Sequence, residues 1–577
     1  MYRFAPLLAR IIDQVEASLP RQVDGGEADG CFLPTETGFP SADHTGHSRD
    51  LAALAQVYLT EGSPLAGDPA LGHRLRRACA FFRRWQRPSG CIDLPKVDPD
   101  SPPDTAFAVQ LLACQLGLAR RRVDEGFAPA GWVVEVLGDL VERAARGIIG
   151  RGFRTPNHRW VVVSALAQAQ ALMPGLRAEA LPYIERILAE GIDINADGEF
   201  SERSTGIYTA VCCRALRYAA DHLGRPDLLD HVRSNLRFTA CLLEEDATII
   251  TAISGRQDRG GRQVPLTMAD SLFDMAQRDG NGEWAALADR IVERGLHRQL
   301  PVEGLGWLLQ PFLDRPAYRD ECLPRRQPPD RGEWYFPESR LWFLREQACT
   351  AFAAAHTRIP FALRCGTAEL RSLRCVTSYF NHTSLVGDRT EAIPGGVRLV
   401  HQARPARWDL PLGRPLPFRE PQEYYAVAER ERGRHDLPAL GLSADIVRRD
   451  RAIAVTLRSH GGLDRFPVQV ELSFNGPGEW IAPGLIIQAD AGGAVQLQEG
   501  SGIFRRGDHA IRIQAQGGGH RWWQLPQLDA DRDGFRVLIN LTTPVDQTIL
   551  ITPGRWSPAH PDAVEPLISE ADLVGQS

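Results

Sequence analysis

The sequence predicts an α+β multidomain protein, in which a ring or solenoid of helical hairpins is followed by an antiparallel β-sandwich domain. Three observations support this fold class: helical periodicity through the first part, a loop that recurs between the helices, and strand-like alternation in the last part. The 577 residues exceed what one hydrophobic core usually serves. We expect a helical domain over 1–320, a junction over 321–360 with one helix near Leu341–Ala355, and the sandwich over 361–577.

Apolar residues recur at three- and four-residue spacing in the first part, as on the buried face of a helix. The helices predicted by this spacing are Ser48–Leu59, Pro69–Trp85, Asp104–Ala119, Gly131–Gly147, Asn157–Met173, Leu181–Glu190, Tyr208–His222 and Leu228–Leu243.

The loops between these helices contain a short repeat. Its copies are Asp29-Gly30-Cys31-Phe32, Ser89-Gly90-Cys91-Ile92 and Asp197-Gly198-Glu199-Phe200, and each precedes a helix after a polar segment. A repeated loop–helix unit indicates hairpins stacked in a ring or solenoid. In a ring, equivalent loops gather at one end, and we expect the cleft there.

In the last part, apolar and polar residues alternate in runs separated by Gly, Asp and Pro turns, which is typical of an antiparallel sandwich. Such runs are Arg398–Ala403, Tyr424–Ala428, Ile453–Arg458, Val468–Phe474, Ala510–Ala515 and Phe535–Leu541.

Composition disfavours several functional classes. The net charge of −6 offers no overall basic field for nucleic acid. Lys96 is the single lysine among 66 basic residues, which disfavours Schiff-base cofactors and nucleotide sites that need a phosphate-loop lysine. Two histidines lie three apart in Asp43-His44-Thr-Gly-His47, but no third ligand is close in sequence. We expect neither a cofactor nor a metal.

The sequence also bears on location. The first twenty residues are interrupted by charges, unlike a signal peptide, and no stretch approaches the length of a membrane span. The eleven cysteines form no CxxC pair and no regular framework. These features favour a cytoplasmic protein with reduced thiols and no membrane partner, and they leave the oligomeric state open.

The strongest local signal is the segment Thr155-Pro156-Asn157-His158-Arg159-Trp160. Thr155 suits an N-cap and Pro156 the first helical position, so Asn157 and His158 fall in the first turn of a helix. Unpaired N–H groups and the helix dipole favour an anion there. Arg159 adds a basic group, and Trp160 offers a ring for stacking on a sugar or for core packing.

A second signal, Asp197-Gly-Glu-Phe-Ser-Glu202-Arg203-Ser-Thr-Gly-Ile-Tyr208, lies one repeat downstream. Ser204 or Thr205 suits a cap for the helix that Tyr208 begins. If both helix starts face one cleft, Asn157, His158 and Tyr208 converge. Taken singly, each of these residues also suits an ordinary cap or packing position.

Together, Asn157-His158, a loop of the form DGxFxExS and Tyr208 resemble the heparinase II/III-like and oligoalginate-lyase group of polysaccharide lyases. The resemblance implies an (α/α) toroid followed by an antiparallel β-sandwich, and cleavage of uronic-acid-containing glycans, polysaccharides or oligosaccharides, by β-elimination. It also implies that Asn157, assisted by an arginine, neutralises the uronate carboxylate while His158 and Tyr208 share the base and acid roles. The His-x-His motif that holds zinc in many relatives is not found in the sandwich sequence.

Further substrate-binding residues are expected around these three. Arg256, in the polar loop Ser254–Arg259, suits the substrate carboxylate or a solvated turn equally well. Arg159, Trp160, Glu202 and Arg203 belong to the two motifs. The resemblance implies a histidine or tyrosine from the β domain, for which His382 is the candidate.

Three other functions are compatible with the sequence. A glycoside hydrolase on a similar barrel would pair Asp104 with Glu199 or Glu202, but it would leave Asn157, His158 and Tyr208 without a task. A non-catalytic glycan-binding protein would need stacking aromatics alone. A scaffold for protein contact would need none of these groups. The identity of the uronic acid and the choice between endo and exo cleavage are left open.

Overall fold

The computed structural model describes residues 1–41, 44–95, 97–297, 305–320, 323–380, 382–384, 387–409, 420, 422, 433–525 and 531–569. The chain divides into two compact units, Met1–Pro328 and Pro329–Ser577. Asp43, Lys96 and the predicted strand Tyr424–Ala428 lie outside the described residues.

The described part of the first unit contains twelve α-helices. They are α1 (Phe4–Ser18), α2 (His44–Leu59), α3 (Pro69–Trp85), α4 (Pro102–Asp124), α5 (Gly131–Ile148), α6 (Pro156–Leu172), α7 (Arg177–Leu188), α8 (Tyr208–Leu223), α9 (Leu228–Leu242), α10 (Ala269–Asp279), α11 (Gly282–His297) and α12 (Leu305–Asp314). Four short strands lie in its loops: β1 (Ile92–Leu94), β2 (Asp98–Ser101), β3 (Ile249–Ile250) and β4 (Arg262–Gln263). The eight helices predicted from periodicity are present as α2 to α9.

The helices form a closed ring of hairpins. The even-numbered helices α2, α4, α6, α8, α10 and α12 each contact the next, and α12 contacts α2. Each of them also packs against an odd-numbered helix, in the pairs α2·α3, α4·α5, α6·α7, α8·α9, α10·α11 and α12·α1. The even-numbered helices are the inner ones and the odd-numbered helices the outer ones. The inner helix α6 is buried on nearly every side, whereas the outer helix α5 buries a single stripe.

A buried ionic cluster joins α8 to α10. Arg214 Nη2 lies 2.9 Å from Asp270 Oδ1, and Arg217 Nη1 lies 2.6 Å from Asp274 Oδ2, while Arg217 also binds Asp270. All four side chains are buried, so each charge depends on its partners for the solvation it loses on folding.

In each of the three copies of the repeated loop, the glycine lies against the backbone of an outer helix. Gly30, Gly90 and Gly198 have φ of +86°, +95° and +95°, and a Cβ on any of them would collide with a backbone carbonyl of the outer helix of the same hairpin. At Gly198, for example, the Cβ would lie 2.6 Å from the Ser234 carbonyl oxygen on α9. The glycine therefore lets the loop pass directly against that helix.

A fourth copy of the repeated loop was not recognised in the sequence because alanine replaces the glycine. Ala247, in Asp246-Ala247-Thr248-Ile249, has φ of +64° and is fully buried. An isolated bridge joins Leu243 to Ile249, matching the bridge from Ile194 to Phe200 beside Gly198. The loop geometry is thus retained with alanine in a left-handed conformation.

These two loop positions should respond oppositely to exchange of their residues. Gly198→Ala should lower the free energy of unfolding by about 2 kcal/mol or more, since it adds both backbone strain and a backbone clash. Ala247→Gly should change it by less than about 1 kcal/mol, because relief of strain offsets the added freedom of the unfolded chain. Urea unfolding of both variants checks this, and equal losses would contradict it.

The described part of the second unit is a β-sandwich. Its strands are β5 (Arg331–Phe336), β6 (Leu341–Glu346), β7 (Cys349–Ala354), β8 (Phe361–Cys365), β9 (Ala368–Tyr379), β10 (His382–Ser384), β11 (Arg389–Ile393), β12 (Gly396–Ala403), β13 (Ala406–Asp409), β14 (Gly433–Asp436), β15 (Leu440–Arg449), β16 (Ala452–Gly461), β17 (Pro467–Phe474), β18 (Glu479–Ala482), β19 (Leu485–Gln488), β20 (Ala494–Gln496), β21 (Glu499–Arg506), β22 (His509–Gln516), β23 (Phe535–Thr542), β24 (Asp546–Arg555) and β25 (Glu565–Pro566).

Two large sheets face each other in this unit. One has the order β20-β23-β17-β9-β8-β7-β6-β5 with β10 beside β9, and the other has the order β11-β12-β15-β16-β24-β22-β21-β18-β19 with β25 beside β24. All pairs are antiparallel except β20 with β23. Leu363, Val470 and Val537 of the first sheet share a core with Val455 and Ile513 of the second. The predicted α+β organisation, with an antiparallel sandwich, is confirmed.

The helix predicted near Leu341–Ala355 is wrong, because this segment forms β6 and β7. Every residue of both strands is buried, so the polar face that would have marked a period of two is missing. A short run that is apolar on both faces matches helical spacing equally well. Within the expected junction, β5, β6 and β7 therefore belong to the first large sheet described above.

No helix in the described ranges is both long and apolar enough to cross a membrane.

Candidate functional site at the starts of two inner helices

The first turn of α6 is capped by a carboxylate from the next hairpin. Thr155 occupies the N-cap position and Pro156 the first helical position, as predicted, but the Thr155 side chain accepts no backbone N–H. The Asn157 side-chain N–H donates to Thr155 Oγ1 at 3.1 Å instead. The Asn157 backbone N–H donates to Glu202 Oε2 at 2.8 Å. The helix dipole also stabilises a negative charge at this position.

Glu202 links this helix start to an arginine. Its side chain is fully buried, and its second oxygen lies 3.1 Å from Arg256 Nη1, whose side chain is 28% exposed. One buried carboxylate thus fixes both the α6 terminus and a partly exposed guanidinium. Because Arg256 is partly exposed and a guanidinium has five N–H donors, groups other than Glu202 can still form hydrogen bonds with it.

The Arg256 loop is fastened to the segment that leads into α8. The Gly255 N–H donates to the Arg203 carbonyl at 2.7 Å, and the Thr205 N–H donates to Ser254 Oγ at 3.1 Å. Asp258 accepts the Gly206 N–H and the Ser254 hydroxyl, both at 2.9 Å. The loop Ser254–Arg259 is therefore held in place by backbone and side-chain bonds.

Tyr208 lies under the same guanidinium. It is the first residue of α8, and its backbone N–H donates to Ser204 Oγ at 3.0 Å. The Arg256 Cζ lies 4.8 Å from the centre of the Tyr208 ring, within the range of a cation–π contact. Arg256 therefore connects Tyr208 to Glu202 and, through Glu202, to Asn157.

His158 lies in the first turn of α6, half-buried, with its ring edge-on to Phe107 at 6.1 Å. Burial, followed by the positive charge of Arg256, lowers the pKa of His158 to about 4, and the nearby Asp98 carboxylate opposes this only in part. The ring is consequently uncharged at neutral pH and can accept a proton.

Several polar atoms of this cluster lack a hydrogen-bond partner within the described part of the chain. They are Asn157 Oδ1, His158 Nδ1 and Asp258 Oδ1, and all three are buried. Native structures rarely leave such atoms unsatisfied except where a ligand, water or chemical function uses them. Asn157 and His158 lie at the start of α6, and Asp258 lies in the loop that carries Arg256, so these atoms mark the candidate site.

His158 should make the protein sensitive to acid. Its folded pKa of about 4 lies below the ordinary value of about 6.5, so the unfolded chain binds a proton between these values that the folded chain does not. The stabilisation that results from this difference is complete above about pH 6.5. As the pH falls towards 4, the free energy of unfolding decreases by up to about 3 kcal/mol. Urea unfolding at several pH values should show a weaker acid loss for His158→Gln than for the unchanged protein. Equal losses would contradict this.

Two predicted binding residues have structural roles instead. Trp160 is fully buried and donates from Nε1 to Asp193 Oδ1 at 2.7 Å, so no sugar ring can stack on it. Arg159 binds the Gly191 carbonyl and the Glu190 carboxylate, both at 3.1 Å, on the side leading out of α7. Their side chains hold the α6 start against the following loop.

Asn157 also differs from the expectation. It is fully buried and its amide nitrogen donates to Thr155, so its buried Oδ1 alone is left for a ligand or water. Arg203 contacts Glu199 at 3.4 Å and supports the loop with φ of +46°. His382 lies on β10 in the second unit, paired in the ladder with Tyr379, and its role at the site stays a prediction.

His47 is buried among Phe32, Phe81 and Phe82, with Nε2 within 2.9 Å of the Ala78 carbonyl. It therefore packs in the core and does not line a cleft.

Sequence reasoning missed the contribution of Asp98. This buried carboxylate on β2 lies 2.7 Å from Arg154 and is close enough to His158 to affect its pKa. The signal available was the set of arginines preceding Asn157, which need acidic partners. Nothing local identifies Asp98 as that partner, since it lies more than fifty residues away in the sequence.

The chain resembles known proteins in its structure and not in its sequence. No family model matches it, and no curated protein matches it by sequence. A solved heparinase III is similar in structure, with a TM-score of 0.53 and 12% identity, covering 96% of this chain and 85% of that chain.

Two further solved structures are similar over 96% of this chain. For heparan sulfate lyase from Pedobacter heparinus the TM-score is 0.52 at 11% identity, covering 84% of that chain. For chondroitin AC lyase from Streptomyces coelicolor, in complex with chondroitin sulphate, it is 0.50 at 14% identity, covering 80% of that chain. Identities this low bear on the fold alone. The chain therefore has the two-part fold of these polysaccharide lyases.

Proposed function

We propose that the protein is a lyase that cleaves uronic-acid-containing oligosaccharides by β-elimination. The observation that carries the proposal is the grouping of Glu202, Tyr208 and His158 around the Arg256 guanidinium. A cation, an uncharged histidine and a tyrosine are the groups that this reaction needs. The shared fold with polysaccharide lyases supports a glycan as the substrate.

The chemistry assigns a role to each group. The C5 proton of a uronate lies next to a carboxylate, and its removal places a second negative charge on that carboxylate. Arg256 binds the carboxylate and stabilises the added charge. The sequence had suggested Asn157 for this role, but its amide is buried, so we assign the role to Arg256. Asn157 and Glu202 then position the helix start and the arginine.

The two proton transfers are divided between the remaining groups. His158 is uncharged at neutral pH and accepts the C5 proton. The Tyr208 hydroxyl donates a proton to the departing glycosidic oxygen. Elimination leaves a conjugated, unsaturated uronate on one product and a new reducing end on the other.

The direct test is incubation with a panel of uronate-containing oligosaccharides while ultraviolet absorbance and reducing ends are followed together. Elimination raises both signals. New reducing ends without added absorbance would mean hydrolysis and would overturn the proposal. The panel also identifies the uronic acid and the linkage.

The hydrolase alternative needs two carboxyl groups that face the scissile bond. Glu202 is fully buried and already engaged with the Asn157 N–H and Arg256. Glu199 is also buried and lies beside Arg203. These surroundings favour elimination over hydrolysis.

Glycan binding without catalysis is a second candidate, favoured by Trp522 and Trp523. They are 57% and 55% exposed, and their carbonyls accept side-chain hydrogen bonds from Asn540, Gln496 and Gln469. A fixed loop with two exposed indoles suits stacking on sugar rings. A protein of this kind would bind the oligosaccharide panel but produce no new reducing ends.

Arg256→Gln tests the assignment of charge stabilisation. We expect kcat/KM to fall about 10²-fold, because a neutral amide stabilises the second charge poorly. The matched control is Arg259→Gln, an exposed residue of the same loop, which should retain the original rate. Steady-state kinetics by absorbance measures both variants. Equal rates for the two would remove Arg256 from the mechanism.

A further inference from the structure

A pair of cysteines lies opposite each other in the larger core of the second unit. Cys349 on β7 and Cys365 on β8 are register partners, and their sulfur atoms are 3.1 Å apart. Both side chains are buried. The two thiols therefore face each other on neighbouring strands.

The ladder on either side of this pair defines its geometry. The Gly366 N–H donates to the Ala348 carbonyl at 2.9 Å, and the Ala354 N–H donates to the Pro360 carbonyl at 3.0 Å. Backbone bonds thus fall on the even-numbered positions of β7, which makes Cys349–Cys365 a non-hydrogen-bonded pair. Such pairs have Cα atoms about 4.5 Å apart. This lies within the range of about 4.4–6.8 Å that a disulfide spans.

We propose that Cys349 and Cys365 close a cross-strand disulfide when the chain folds in the presence of a small-molecule disulfide such as oxidised glutathione. A thiolate of one cysteine attacks the glutathione disulfide, forming a mixed disulfide and releasing one glutathione thiolate. The second cysteine attacks the mixed disulfide, closes the sulfur–sulfur bond and releases the other. The protein loses two protons and two electrons, and oxidised glutathione becomes two reduced glutathiones.

The surroundings of the pair determine when it closes. The proton shared with Cys365, together with burial, raises the pKa of the Cys349 thiol, so the reactive thiolate is scarce in the folded protein. Closure therefore takes place while β7 and β8 are still accessible to the oxidant. Once closed, the bond joins residues sixteen apart in sequence and should raise the unfolding temperature of the second unit.

The test is refolding of the full chain in oxidising and in reducing glutathione buffer. Each sample is then denatured, alkylated, digested without reduction and analysed by mass spectrometry. After oxidising refolding, we expect Cys349 and Cys365 to be unmodified and their peptides to be joined. After reducing refolding, we expect both to be alkylated. The unfolding temperature should be higher for the oxidised sample.

Two variants complete the experiment. Cys349→Ala should lose the joined peptide and leave Cys365 alkylated. Cys375→Ala removes another buried cysteine, on the adjacent strand β9, and should keep the joined peptide. Alkylation of both Cys349 and Cys365 after oxidising refolding, or a link from Cys349 to a different cysteine, would overturn the proposal. The unsubstituted protein alone decides this if a variant fails to fold.

Discussion

Replacing Tyr208 by phenylalanine should slow β-elimination by about 10²–10⁴-fold while leaving the fold unchanged. The substitution removes only the hydroxyl to which the proposed mechanism assigns proton donation to the departing oxygen. It keeps the ring under Arg256 and the backbone bond to Ser204. Absorbance-based kinetics gives the rate, and circular dichroism with urea unfolding verifies the fold.

The assignment of Tyr208 as the acid and His158 as the base can be checked by changing the leaving group of the substrate. If Tyr208 is the acid, a substrate with an aryl leaving group needs little protonation, so Tyr208→Phe should regain most of its rate on it. His158→Gln should stay slow on the same substrate, because the C5 proton must still be removed. The opposite pattern would exchange the two roles. Tyr183→Phe, which removes a hydroxyl bonded to the Gly152 N–H, should keep the full rate.

Glu202→Ala should lower both stability and activity. The change uncaps α6 at Asn157 and leaves Arg256 without its buried partner. We expect a loss of about 2–4 kcal/mol in the free energy of unfolding, combining a lost cap with a broken, partly buried ion pair. The rate should fall at least as far as in Arg256→Gln, since the guanidinium is no longer held in place.

A matched variant separates this effect from simple loss of surface charge. Glu142 forms an exposed pair with Arg146, and Glu142→Ala should cost less than about 1 kcal/mol without affecting the rate. Urea unfolding and absorbance kinetics on both variants make the comparison. If Glu202→Ala behaved like Glu142→Ala, Glu202 would not organise the site.

Local patterns predicted the helices α2 to α9 because apolar residues recur at helical spacing, both on α5, which buries one stripe, and on α6, which is buried on every side from Trp160 to Gln170. They failed at β6 and β7, where burial on both faces removes the alternation that identifies a strand. The first part was predicted to be helical as a whole, and the helices named as examples of the periodicity did not include α1 or α10 to α12. The alanine copy of the repeated loop was missed because the pattern relied on glycine.

Sequence patterns predicted only part of the candidate site. Asn157, His158 and Tyr208 lie at helix starts, where capping signals are local, and the structure places all three there. The cap itself comes from Glu202, forty-five residues away, and the cation from a further loop. Contacts across hairpins depend on how the ring closes, which no local pattern encodes. Burial of Trp160 and Asn157 was hidden for the same reason.

The repeated loop anchor has a consequence for how such a protein can evolve. At Gly30, Gly90 and Gly198, the anchor is made with an outer helix of the same hairpin. Substitutions in a loop that is held by one of these glycines therefore need not disturb the other loops. The hairpins that carry Glu202 and Arg256 can conserve their chemistry while those anchored at Gly30 and Gly90 diversify. Substrate preference can then change by separate, heritable steps around the ring, each compatible with a folded and active protein.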